Sequence, residues 1–88
     1  RARPERRYDL HGTASIGRGR DNQIVLDHPS VSRRHAWLQL QGQEYWIVDA
    51  GSTNGTYVNN QPLREPRRLQ HGDVGRVGQA ELVCAEVF

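Results

Sequence analysis

Eighty-eight residues suffice for one domain, near the lower limit of what a single hydrophobic core supports without cross-links. The lone cysteine, Cys84, excludes an internal disulfide and a thiolate zinc site, and a small chain without disulfides points to a reducing, cytoplasmic setting. All twelve basic residues are arginine; four of them (Arg1, Arg3, Arg6, Arg7) crowd the first seven positions against one acid, while the other eight face nine acids, so the pI near 9.2 describes an arm and not the body.

Residues 1–7 are therefore expected to form a basic flexible arm, and residues 8–88 one folded domain. The arm reads as a solvated linker, although a run of arginines can also touch nucleic acid or anionic lipid. No apolar run approaches the ~20 residues of a membrane span, and no signal-peptide pattern opens the chain. It begins on Arg1 instead of Met, as expected of a piece of a longer protein.

In chain order, short apolar alternations recur between turn signals, the pattern of an all-β sandwich or barrel. "RYDLHG" pairs Tyr8 with Leu10 before a glycine. "ASIG" and "QIVL" flank the polar loop "RGRDN". "HAWLQLQ" sets Ala36, Leu38 and Leu40 on one face and Trp37 on the other; after "QGQ", "EYWIVDA" alternates Tyr45, Ile47 and Asp49 against Trp46 and Val48. Asn54-Gly55 is the strongest short hairpin signal, because both central positions of a type I′ turn need positive φ, and Asn59-Asn60 marks the next turn. "QPLREPRRLQHGD" reads as a long connection, and "VGRVG" and "AELVCAEVF" close the chain, with Cys84 a small buried hydrophobe in the last strand. Trp37 and Trp46 are expected to cover the sandwich. No segment keeps helical periodicity over three turns, so no long helix is expected. The prediction is an antiparallel two-sheet sandwich with its function in loops.

Three of those loops share a chemistry. In "SIGRGRDNQIVL", the ending of a P-loop is missing, Asn22 stands where a dinucleotide fingerprint needs its third glycine, and no helix follows, so a nucleotide cofactor is not expected. What remains is Arg18 between two glycines, with a guanidinium suited to phosphate or carboxylate oxygens. In "PSVSRRHAW", Ser32 offers a hydroxyl, and Arg33 and Arg34 point to opposite sides of an extended backbone. His35 at the mouth of a strand can tie the flanking loops together. A Ser32 nucleophile with His35 as base lacks a nucleophile elbow, and no deep pocket is expected on so small a sandwich, so no catalytic residue is assigned. "GSTNGTYVN" adds the hydroxyls of Ser52 and Thr53 and the Asn54 amide, which can hold a peptide backbone through both donor and acceptor. No acid lies within "GRG", "SRRH" or "STNGT", an inventory that suits a phosphate on an extended chain.

The order of these segments, with "YWIVDA" before "GSTNGTYVN" and "LQHGD" after it, resembles the forkhead-associated (FHA) domain, a reader of phosphothreonine peptides, from about Tyr8 to Phe88. The resemblance implies a sandwich of the FHA/SMAD type with about eleven short strands, and a peptide held across the loops at one end. It implies Arg18 and Ser32 on the phosphate, Arg33 as a second cationic contact, Thr53 beside the phosphate and Asn54 on the peptide main chain. Gly17, Asn22, His35 and Gly55 take supporting roles. No cofactor or metal is implied. The implied function is a non-catalytic, phosphothreonine-dependent module that recruits phosphorylated partners in Ser/Thr kinase signalling: a phosphoprotein, a kinase or a kinase substrate, with neither membrane nor nucleic acid as partner. The alternative is a scaffold that binds an unphosphorylated protein. One departure stands out: in "DVGRVG", Gly75 occupies a position where the family has a branched apolar residue, so a bulge that swings Val74 inward, or filling by Trp46, is expected.

Overall fold

Alternation decides which residues go inside. β3 (Ala36–Gln41) and β4 (Glu44–Asp49) pair antiparallel with Leu38 opposite Ile47 and Trp37 opposite Val48. Directly opposed residues share a face of the sheet, so the first pair points into the core and the second points away from it. β1 (Ala14–Gly17) lies antiparallel on the other side of β3, with all four residues buried, and β2 (Ile24–Val25) and β7 (Arg67–Arg68) complete a five-stranded sheet in the order β2-β1-β3-β4-β7. The second sheet has the order β6-β5-β8-β9, from β5 (Thr56–Val58), β6 (Gln61–Pro62), β8 (Val74–Val77) and β9 (Ala80–Val83). These come from a computed structural model that describes residues 7–84.

The core joins the two sheets. Ile16, Ala36, Leu38 and Ile47 from the first meet Val58 and Val77 from the second, with Val31 contributed by a loop. Tyr8 and Leu10 pack against this cluster from irregular chain and not from a strand. The Tyr45 hydroxyl anchors that segment by donating to the Gly12 carbonyl and accepting its N–H, both at 3.0 Å.

Several expectations are corrected. The described residues hold nine strands, not about eleven, and β1 and β2 pair in parallel although the sandwich is otherwise antiparallel. The connection after Asn60 is not structureless, because it contains β6 and the polar edge strand β7. Asn54-Gly55 makes no hairpin: β4 and β5 belong to different sheets, and only Gly55 has positive φ, at 85°. The hairpin sits instead at Asn59-Asn60, whose φ values of 51° and 67° match the type I′ requirement, between β5 and β6.

Gly75 causes no bulge either. β8 keeps continuous register with both neighbours, Gly75 facing Val58 and Leu82. A Cβ there would sit 3.8 Å from the Leu82 carbonyl oxygen, an ordinary contact. Leu82, opposite Gly75 and packed against the core, supplies the apolar bulk on that face, so neither Val74 nor Trp46 has to move. Cys84 lies just past β9 and is only half-buried. Of the predicted arm, only Arg7, which is exposed, falls within the described residues.

Candidate functional site

Backbone bonds bring three separated turns together. Beyond β1, the Arg18 N–H donates to the Ser32 carbonyl at 2.9 Å and the Gly19 N–H to the Arg33 carbonyl at 3.1 Å. The approach requires glycine at 17, where a Cβ would collide with the Arg33 carbonyl oxygen and stand 2.7 Å from the Asn22 amide nitrogen. Asn22, buried, donates from Nδ2 to the carbonyls of both Gly19 (2.8 Å) and Arg33 (2.7 Å), clamping the first turn onto the second.

His35 joins the second turn to the third. It is fully buried; its Nδ1 accepts the Ser32 N–H at 3.0 Å and its Nε2–H donates to the Gly55 carbonyl at 2.8 Å. This pairing fixes the tautomer with the proton on Nε2. Both ring nitrogens serve backbone groups, so neither addresses the Ser32 hydroxyl as a base would. His35 also gives its own N–H to Ile16 and takes that of Ala50, which binds it into the ladder between β1 and the end of β4.

Asp49 shapes the third turn. Its carboxylate accepts the N–H groups of Gly51 (2.9 Å) and Ser52 (3.0 Å) and the hydroxyls of Ser52 (2.6 Å) and Thr56 (2.7 Å). Partial burial pushes its pKa up, but those two hydroxyls and two N–H groups outweigh burial and hold it below the ordinary value. The Ser52 oxygen then accepts the Gly55 N–H at 2.9 Å, closing the loop.

The ligand-competent groups lie on this frame. Ser32 Oγ accepts the Thr53 N–H at 3.1 Å, which leaves its proton free to donate elsewhere. Thr53 and Asn54 are exposed; Asn54 spends one amide N–H on the Ser30 carbonyl at 2.8 Å and keeps its oxygen and second N–H. Arg18 and Arg33 are exposed, with no carboxylate in ion-pair range among the described residues. Arg34 differs: it pairs with Asp21 at 2.7 Å and lies over the Trp37 ring, 5.1 Å from its centroid. Thus, of the two adjacent arginines, Arg34 has a structural partner and Arg33 is available.

Arg18, Ser32, Arg33, Thr53 and Asn54 therefore lie on turns that are hydrogen-bonded to one another, supported by Gly17, Asn22, His35 and Gly55. Sequence reasoning overlooked two members of the frame. Ser30 accepts the Asn54 amide through its carbonyl and the Gln79 N–H through its hydroxyl at 2.8 Å, tying the tip to the β8–β9 turn. Asp49 sits in the alternating pattern of a strand, which hides its role, although an Asp that accepts the N–H groups two and three residues later is the signature of an Asx turn.

The FHA domain sequence model matches residues 14–78, a span that contains all three turns. The chain belongs to the FHA domain family. It is 48% identical over 71 residues to the glycogen accumulation regulator GarA of Mycolicibacterium smegmatis, covering 81% of this chain and 44% of that protein. It is 46% identical over 79 residues to the FHA domain-containing protein FhaA of Mycobacterium tuberculosis, covering 89% of this chain and 15% of the relative. The chain spans less than half the length of either. Among solved structures, an FHA domain from a study of phosphothreonine-dependent FHA interactions superposes with a TM-score of 0.85 at 42% identity, covering 91% of this chain and 83% of that one. The FhaA FHA domain complexed with the intracellular domain of Rv3910 superposes with a TM-score of 0.81 at 44% identity, covering 86% and 84%.

Proposed function

We propose that this FHA domain, over residues 8–88, holds a phosphothreonine on an extended segment of a partner protein, recruits that partner downstream of a Ser/Thr kinase in the cytoplasm, and catalyses no reaction on it. The reading is supported by the phosphothreonine dependence described for a similar FHA domain. The observation that carries it is the pair of guanidinia, Arg18 and Arg33, without an ion-pair partner among the described residues, flanking a serine whose hydroxyl proton is free.

The chemistry follows from charge and count. Phosphothreonine brings a charge of about −1.5 to −2 and three strong acceptor oxygens. Arg18 presents a planar fork of donors, Ser32 a single short donor, and Arg33 a second positive charge. Hydrogen bonds to charged groups contribute roughly 1.5–3 kcal/mol each, so two or three dominate the binding of a flexible peptide whose ordering opposes association. The free oxygen and N–H of Asn54 fit a peptide main chain. A glutamate in place of phosphothreonine offers one charge and a planar two-oxygen head, and binds poorly.

Calorimetry with a phosphothreonine peptide pool tests this. Arg18→Ala lowers affinity at least about a hundredfold, the loss of a two-bond contact, while the thermal midpoint stays within a few degrees because Arg18 is exposed. Unchanged affinity removes Arg18 as the anchor. Binding that persists after phosphatase treatment of the ligand favours the phosphate-independent scaffold.

A further inference from the structure

Among the described residues, three arginines on the tip (Arg18, Arg20 and Arg33) have no carboxylate in ion-pair range, one more than the phosphate contacts above employ. Arg20 is exposed at the crest of the turn that runs from Gly19 to Asn22, closed by the Asn22 N–H donating to the Gly19 carbonyl at 3.2 Å. Its nearest acid in sequence, Asp21, does not serve it. Asp21 turns toward residue 19, where a Cβ would stand 2.8 Å from its Oδ1, and its Oδ2 pairs with Arg34 at 2.7 Å in an ion pair that stays open to solvent. Asp49 is committed to its four hydrogen bonds within the third turn. Asp27, the remaining acid between Gly17 and His35, is exposed and pairs with none of these arginines. Asp21 and Asp49 thus have other partners, Asp27 makes no ion pair with the tip, and among the described residues Arg20 has no carboxylate in ion-pair range, two residues from Arg18.

We propose that Arg20 reads a second acidic group on the ligand, an Asp or Glu side chain close to the phosphothreonine. The proposal rests on the phosphothreonine reading of the tip. Residues two apart in an extended chain are about 7 Å apart, so a carboxylate within three residues of the phosphothreonine reaches the span between Arg18 and Arg20. The interaction is solvent-exposed, which sets its size: a preference of about two- to fivefold, shrinking with salt.

The experiment is fluorescence anisotropy at low and high salt with a phosphothreonine peptide of alanine and serine, and with six derivatives carrying one Asp at each position from three before to three after the phosphothreonine. At least one derivative binds the wild-type domain two- to fivefold tighter at low salt, and Arg20→Gln brings that derivative down to the affinity of the neutral peptide. Equal binding of all seven peptides overturns the proposal, as does an acid preference that survives in Arg20→Gln. If no phosphopeptide binds, both this proposal and the reading beneath it fall; if the neutral phosphopeptide binds and acid adds nothing, only this one does.

Discussion

At the loop tip, side chains satisfy groups of the turns themselves: buried His35 bridges the backbone of Ser32 and Gly55, buried Asn22 bridges the carbonyls of Gly19 and Arg33, and partly buried Asp49 gathers two N–H groups and two hydroxyls. Around β6 and β7 the polar side chains interact instead with one another, in water: Arg67 donates to Gln61 at 2.8 Å, and Arg68 meets Glu44 at 2.7 Å with side chains 46% and 50% exposed. Removing a group in water lets water take its place. Removing a buried group that serves the backbone leaves an N–H or carbonyl with nothing. The contrast separates a region built to hold a fixed shape from one that is free to vary. A tip whose turns are fixed before a ligand arrives loses little freedom on binding, which leaves more of the proposed phosphate interaction to appear as affinity.

The largest effect that breaks the contrast is at His35. His35→Ala empties a fully buried position and orphans the Ser32 N–H and the Gly55 carbonyl together. The cavity and the two unpaired groups add up to about 3–5 kcal/mol, which lowers the thermal midpoint of a domain this size by roughly 12–30 °C. Phosphopeptide affinity falls with it, because Ser32 loses its brace. A variant with a normal midpoint and no affinity would instead mark His35 as a direct ligand contact.

Asp49 comes next and adds a pH signature. Asp49→Asn replaces one of the two oxygens, each of which accepts two donors, with an NH2 group, at a cost of about 1–3 kcal/mol near neutral pH. The wild-type carboxylate is held below its ordinary value of 3.8. Its contribution is therefore complete above that value, and it is lost as pH falls through the lower folded-state value. Asp73, held down first by the Asn59 amide and then by the Gln70 N–H, behaves likewise. Thermal midpoints measured from pH 7 to pH 2.5 show wild type and variant far apart at neutral pH and converging in acid. A gap that stays constant across the range would mean that the charge of Asp49 is not what the turn uses.

Much of this is legible in the sequence, and what is not has physical causes. Alternation in β3 and β4 gave the sandwich faces directly, because a period of two admits one assignment of inside and outside. Asn59-Asn60 was readable because its own φ values make the turn. Asn54-Gly55 misled: the Asp49 carboxylate and the Ser52 hydroxyl direct residues 50–55 across to the other sheet, and a local dipeptide rule does not see that pull. The parallel pairing of β1 with β2 was hidden because parallel neighbours usually need a dozen or more connecting residues. β7, two arginines on a sheet edge, carries no apolar signal at all. At the tip, residue types and the family resemblance named the arginines, hydroxyls and amide. That Arg34 is tied down while Arg33 is not depends on Asp21, thirteen residues away, and appears only once the chain is folded.

The smallest effect lies at the exposed end of the contrast. Glu44→Ala removes the partner of Arg68 at the far edge of the five-stranded sheet. Both side chains stand about half in water, so the expected loss is between nothing and about 1 kcal/mol, with binding unchanged. Chemical denaturation of Glu44→Ala, Arg68→Ala and the double variant isolates the pair from whatever each chain does alone, since the coupling is the departure from additivity. A coupling above about 1.5 kcal/mol would show that the β4–β7 edge is as tightly built as the tip, and the division between a fixed binding end and a replaceable edge would be lost.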